Sequence, residues 1–284
     1  MHPFIKVVII LFIFPCCTSR PSLPTVIGRF NTDKDLYLAQ FDCKTDVDDL
    51  HSVAGVATIL ADYRFKNVNF HAVAGAYGIQ EGLYVPANEL FQAAFGSKWS
   101  DAHSNYKHAL REVTAIVKKT LENNGNIWIA EAGQSDFSAD LIQNIKSMLP
   151  QINLKSRINI VQHSNWNENQ TTSEDLSFVK SNIAYHKIPD GNVIGNGSPG
   201  FVTDSLINWQ DYIKEPKLVN IWNMALDIAN RHNGKDNRYN NPAIANGGFD
   251  FSDVSETCWI FGFENLENAE QFFKEFSNMA SRKR

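Results

Sequence analysis

The sequence predicts an α/β protein, a single domain built on a mostly parallel open sheet with helices on both faces, in a Rossmann-like arrangement. Three observations lead there. Short apolar runs alternate with longer amphipathic segments through most of the chain, the rhythm of repeated strand–helix–strand units. The longer segments space apolar residues three and four apart, as Ala109, Val113, Ile116, Val117 and Leu121 do, which draws a buried stripe along a helix. An acidic loop directly follows the first long apolar run, at a strand's carboxyl end, where open parallel sheets gather their ligands.

In chain order, Tyr37–Asp42 is the first expected strand, an apolar run closed by a carboxylate. Asp48–Ala61 is the first helix, with Asp48 and Asp49 at the end where carboxylates cap free amides. Val68–Ala74 is the second strand, and a helix is expected over Gly82–Ala94. Tyr106–Asn123 carries the stripe just described. The apolar Ile127–Ala130 reads as a central strand, with Phe137–Met148 as the helix behind it. Ile158–Val161 and Ile183–His186 are further strands, either side of a helix at Ser173–Lys180. Lys217–Asn230 reads as helix. Thr257–Phe261 reads as the last strand, because β-branched and aromatic residues favour that conformation. Leu266–Ala280 closes the chain as a helix. The stretches 191–208 and 231–251 are loops long enough to be functional.

A chain of 284 residues with 43% apolar content can bury a substantial core. A net charge of −5, with no basic stripe, excludes the electrostatic footprint of a nucleic-acid binder. His2 and Lys6 precede the apolar run Val7 to Phe14, followed by Pro15-Cys16-Cys17. Residues 1–19 therefore read as a signal peptide, too short to span a bilayer. Its end resembles a bacterial lipoprotein cleavage site, with Cys16 or Cys17 acylated. The expectation is a secreted, periplasmic or membrane-anchored protein, with residues 20–34 as a tether and 35–284 as the folded domain. Cys43 and Cys258 are expected as two free thiols, with a single bridge between them as the alternative.

The acidic loop is the most informative segment. In Phe41-Asp42-Cys43-Lys44-Thr45-Asp46-Val47-Asp48-Asp49, the aspartates repel one another unless a cation, a polyhydroxylated ligand or solvent relieves them. The plain alternative is a solvated turn whose aspartates cap the following helix. A phosphatase of the haloacid-dehalogenase type would need a second Asp two residues after Asp42, where Lys44 stands. No glycine-rich phosphate loop is present either.

The loop resembles the amino-terminal signature Asp-x-Asp-Pro-Gly-x-Asp-Asp of the inosine–uridine-preferring nucleoside hydrolase family. Asp42, Asp48 and Asp49 fall on its first, seventh and eighth places. Further similarities follow in order: Phe70-His71-Ala72-Val73-Ala74-Gly75, Ile127-Trp128-Ile129-Ala130-Glu131-Ala132-Gly133, Gln162-His163-Ser164-Asn165-Trp166 and Ser252-Asp253-Val254. The resemblance implies a nucleoside hydrolase-like fold and calcium as cofactor. It makes Asp49 and Asp253 metal ligands, with Asp136 in the turn after the central strand as a third. It implies a small nucleoside or sugar as ligand, with Asp48 and Asn165 holding sugar hydroxyls, and a homo-oligomer. The implied reaction is hydrolysis of an N-glycosidic bond by activated water, with Asp46 or Asp42 as base. His163 is a candidate acid, since imidazole titrates near neutral pH. Trp166 and Tyr77 are candidates to stack on a ring. Lys44 departs from the pattern: it occupies the family's third place, which supplies both a ligand and the base. A non-catalytic carbohydrate- or ribosyl-binding envelope protein on the same fold is therefore the alternative.

Overall fold

The computed structural model describes residues 25–277; the expected leader, with Cys16 and Cys17, lies outside them. Two short antiparallel strands come first, β1 (Val26–Ile27) and β2 (Phe30–Asn31). The main sheet has six strands: β3 (Leu36–Phe41), β4 (Asn69–Ala74), β5 (Trp99–Asp101), β6 (Ile127–Ala132), β7 (Ile158–Gln162) and β8 (Ala184–Lys187). All are parallel, in the order β5-β4-β3-β6-β7-β8. The chain enters at β3, steps outward to β5, then returns beside β3 as β6 and proceeds to the other edge. That is doubly wound, Rossmann-like topology, and its switch point lies between β3 and β6.

Helices cover both faces. Leu36 and Leu38 of β3 pack with α3 (Ala102–Glu122), α4 (Asp136–Met148) and α6 (Ser173–Asn182). Tyr37, Ala39 and Phe41 pack on the other side with α1 (Asp48–Ala61), α2 (Asn88–Phe95), α7 (Pro216–His232), α9 (Val254–Phe261) and α10 (Ala269–Glu275). A strand buried on both faces reads as a continuous apolar run, and all six residues of β3 are buried. Two short helices, α5 (Asn165–Asn169) and α8 (Pro242–Ala245), lie in the loops at the carboxyl edge of the sheet. No helix among the described residues is long and apolar enough to cross a membrane.

Several expected elements are corrected. Thr257–Phe261 is no strand but the end of α9. Seven of its eight residues are buried, so no polar face marks the helical period. Gly262, left-handed at φ 80°, ends the helix. The helix expected over Gly82–Ala94 begins only at Asn88. Pro86 accounts for this: it biases Val85 toward extended backbone and cannot donate to a helical turn. The last helix starts at Ala269, where the Asn268 side chain accepts from the Gln271 amide.

Residues 25–34 are not a tether. Phe30 is fully buried, 5.4 Å from the ring of Phe261, and the Arg29 amide donates to the Ile260 carbonyl. The long loops also contain structure. β9 (Val202–Thr203) pairs antiparallel with β10 (Phe249–Asp250), joining them. Cys43 and Cys258 are both free and buried.

Candidate functional site

The loops that leave β3 and β6 are brought together at the switch point. The Asp42 amide donates to the Ala132 carbonyl, and the Gly75 and Ala76 amides both donate to the Phe41 carbonyl. Gly133, at φ 147°, lets the strand ends approach: a Cβ there would meet the Ala76 carbonyl oxygen at 2.5 Å and Asp42 Cβ at 3.0 Å. Beyond these ends opens a cavity of about 460 Å³, walled by Asp42, Asp46, Asp48, Asp49, Asp250 and Asp253. Sequence positions two hundred residues apart thus form one acidic cup, and Ser52 on α1 donates to Asp253 Oδ2 at 3.3 Å.

Each carboxylate has a distinct environment. Asp42 is committed: Oδ1 accepts from the Lys44 amide at 2.7 Å, and Oδ2 accepts from Gln80 Nε2 at 2.9 Å and Gln134 Nε2 at 2.8 Å. Asp46 Oδ1 accepts from the Asp48 amide, and Asp48 Oδ1 accepts from the Asp49 amide, so the loop side chains cap the start of α1 in succession. Asp49 Oδ2 accepts from the Cys43 amide at 2.6 Å, while its buried Oδ1 has no protein partner. Asp250 accepts from Asn241 Nδ2 at 2.7 Å and from the Ser252 amide and hydroxyl.

Burial, joined at some positions by neighbouring carboxylates, raises several of these acids. Burial pushes Asp42 and Asp250 up to about 6. Asp48, Asp49 and Asp253 are driven well above the usual carboxylate range, first by burial; neighbouring carboxylates add to this at Asp48 and Asp49, whereas at Asp253 the nearby His163 opposes it. Lys44 does not neutralise them. Its ammonium donates to the Gln80 carbonyl at 2.8 Å and sits 4.3 Å from the centre of the Tyr77 ring. No carboxylate lies within ion-pair distance of it among the described residues.

His163, at the end of β7, lines the same cavity. Its Nδ1 is 2.8 Å from Glu256 Oε1, and its amide donates to the same oxygen at 3.2 Å. Burial alone would lower the imidazole, but the Glu256 carboxylate outweighs it, and His163 is pushed up to about 9.

Of the expected site residues, Asp42, Asp46, Asp48, Asp49, His163, Trp166 and Asp253 converge on the cavity. Three do not. Asn165 starts α5 exposed to solvent; it is Asn167, two residues on, that lies buried in the wall. Tyr77 stands outside the wall, its hydroxyl 2.9 Å from His103 Nδ1. Asp136 also stands outside: it is tied to Thr172, whose hydroxyl donates to Oδ1 at 2.5 Å. Asp250, Asn241, Asn192 and Tyr239 line the cavity without being singled out by the sequence pattern. The Asn241-Pro242 pair is a readable helix start, but nothing local reveals that it faces Asp250.

For a hard cation such as calcium the chemistry of the donors is right, since it takes oxygen ligands and Asp49 Oδ1 is buried without a partner. Among the described residues, however, no three potential ligand side chains are gathered closely enough to form a cage.

Fold and site together define a Rossmann-like α/β protein with an acidic cavity at its topological switch point. Compared with protein-family models, curated proteins and solved structures, the chain matches none.

Proposed function

We propose that this chain binds a small ribosyl compound, a nucleoside or related sugar, in the acidic cavity and hydrolyses its N-glycosidic bond. The observation that carries the reading is the convergence of six aspartates from distant segments around one cavity that also contains a histidine. Carboxylates accept hydrogen bonds from vicinal hydroxyls, and they stabilise the oxocarbenium-like charge that develops as a glycosidic bond breaks. Asp48 and Asn167 hold the sugar in this reading. Asp46, half-buried in the wall, stays within reach of water and serves as base. Asp42 is a poorer base, being committed to three donors. His163 is the acid. Asp49 and Asp253 are the side chains that would offer oxygen ligands to a calcium ion, which takes hard oxygen donors.

Calorimetry with ribose and nucleosides, with and without calcium, tests binding, and chromatographic assay of base release tests turnover. The expected result is measurable heat and release of free base, both abolished in Asp49→Ala. No heat with any of these ligands would remove the reading.

A second reading, binding without catalysis, is favoured by Lys44, which stands where the hydrolase signature has its third-place Asp. A chain that binds nucleosides without cleaving them, and gains cleavage on Lys44→Asp, would decide for it.

A further inference from the structure

We infer that Glu256 is a positioning residue that holds His163 as the cavity's proton donor, suiting the site to ribosyl compounds whose heterocycle leaves only when protonated. This rests on the hydrolase reading above. Glu256 is wholly buried in the first turn of α9 and is not itself part of the cavity wall. One of its oxygens receives both the His163 amide, at 3.2 Å, and His163 Nδ1, at 2.8 Å. Two contacts to one residue fix where the ring sits and which nitrogen faces the carboxylate. The other oxygen, Oε2, is buried with no partner, so this carboxylate is committed to His163 alone.

That orientation leaves Nε2 free. Its charged neighbour is Asp190, at 4.0 Å, beyond hydrogen-bond distance and half-exposed. The groups that face the ring are Glu256 and Ser255 from α9, Asp253 just before that helix, and Asp190 from the loop after β8. Of these, Glu256 touches the ring directly, and its carboxylate favours the imidazolium over the neutral ring. A carboxylate orienting an imidazole so that its far nitrogen works on the ligand is the logic of a base or acid held by a third group.

In the step itself, the electron pair of the C1′–N bond leaves with the heterocycle, which takes the Nε2 proton. Water adds its oxygen to C1′ and yields a proton to Asp46, and solvent returns a proton to the imidazole. Leaving groups that depart readily as anions do not need this donor.

The experiment compares wild type, Glu256→Gln and His163→Gln on a purine nucleoside and on p-nitrophenyl riboside, with the imidazole of His163 titrated by NMR. In the wild type His163 stays charged past pH 8, and in Glu256→Gln it is neutral at pH 7. Removing a positioned acid costs roughly 10²-fold or more in kcat, so both variants lose about that on the nucleoside and at least ten-fold less on the activated riboside. The alkaline limb of the nucleoside pH profile moves to lower pH in Glu256→Gln. Equal losses on both substrates would overturn the proposal. So would a wild-type imidazole that is neutral at pH 7, a measurement that needs no variant to fold. Turnover of neither substrate, with His163 still charged past pH 8, would overturn the hydrolase reading and the donor role with it, while establishing the held imidazolium separately.

Discussion

Asp49 and His163 show how a buried setting makes single side chains at this site hold their protons more tightly, one by desolvation and one by pairing. Asp49 faces its neighbours with an unpartnered oxygen, whereas His163 is paired with Glu256. Both shifts have consequences for stability. An acid raised in the folded state holds its proton more tightly there, so Asp42 and Asp250, at about 6, make the fold less stable as pH rises from about 4 to 6. His51 opposes them: buried neutral and lowered to about 3, it makes the fold less stable as pH drops below about 6.5. Above that pH His163 acts in the same direction as the acids still holding protons, which are Asp48, Asp49 and Asp253, driven well above the usual range, and Glu131, which burial raises to about 7. A histidine raised on folding contributes fully below its unfolded value and loses that contribution as pH rises through the folded one. Thermal unfolding should therefore show stability falling between pH 6.5 and 9, by about 3 kcal/mol for the His163 shift. His163→Gln should flatten that slope, and an unchanged slope would refute the assignment.

Among the elements, α9 and the β1–β2 pair depend on each other. Arg29 stacks on Trp259 at 3.7 Å and pairs with Glu264 at 2.5 Å, while Phe30 fills the space beside Phe261. Truncating a buried Phe to Ala typically costs about 3–5 kcal/mol, so Phe30→Ala should destabilise the fold to chemical denaturation by an amount in that range. A change under about 1 kcal/mol would mean that this segment is a tether after all. These same elements mark where the sequence is hard to read. β3, β4, β6 and β7 are legible because an apolar run set between amphipathic helices, too short to be a helix itself, can bury both its faces only as an inner strand. The acidic loop is legible because four aspartates in eight residues are conspicuous. α9 is not, since a helix enclosed on every side shows no period. Asn165 and Asn167 differ only in which way one short helix turns them, a matter of tertiary docking. Gln80 and Gln134, which grip Asp42, lie in irregular loops where no periodicity assigns a direction.

At the scale of the whole molecule, the doubly wound order gathers the carboxyl ends of β3, β6 and β7 at one edge, which brings residues 42–49, 133 and 163 to one place. The segment 250–253 arrives from outside the sheet. It is held by α9 beneath and by the pairing of β10 with β9, where Phe249 faces Thr203 and Asp250 faces Val202, extended by the Phe251 amide donating to the Phe201 carbonyl. Those few backbone bonds fasten the wall that carries Asp250 to a loop otherwise rich in glycine and asparagine. Whatever steadies the cavity from within steadies this seam as well. Ribose or nucleoside should slow deuterium uptake at the amides of Thr203 and Phe251 together, in step, and uptake that responds at one of them alone would show the two loops to be mechanically independent. Occupancy of the pocket thus becomes readable at a distance, as the stiffness of a short two-stranded seam on its outer side.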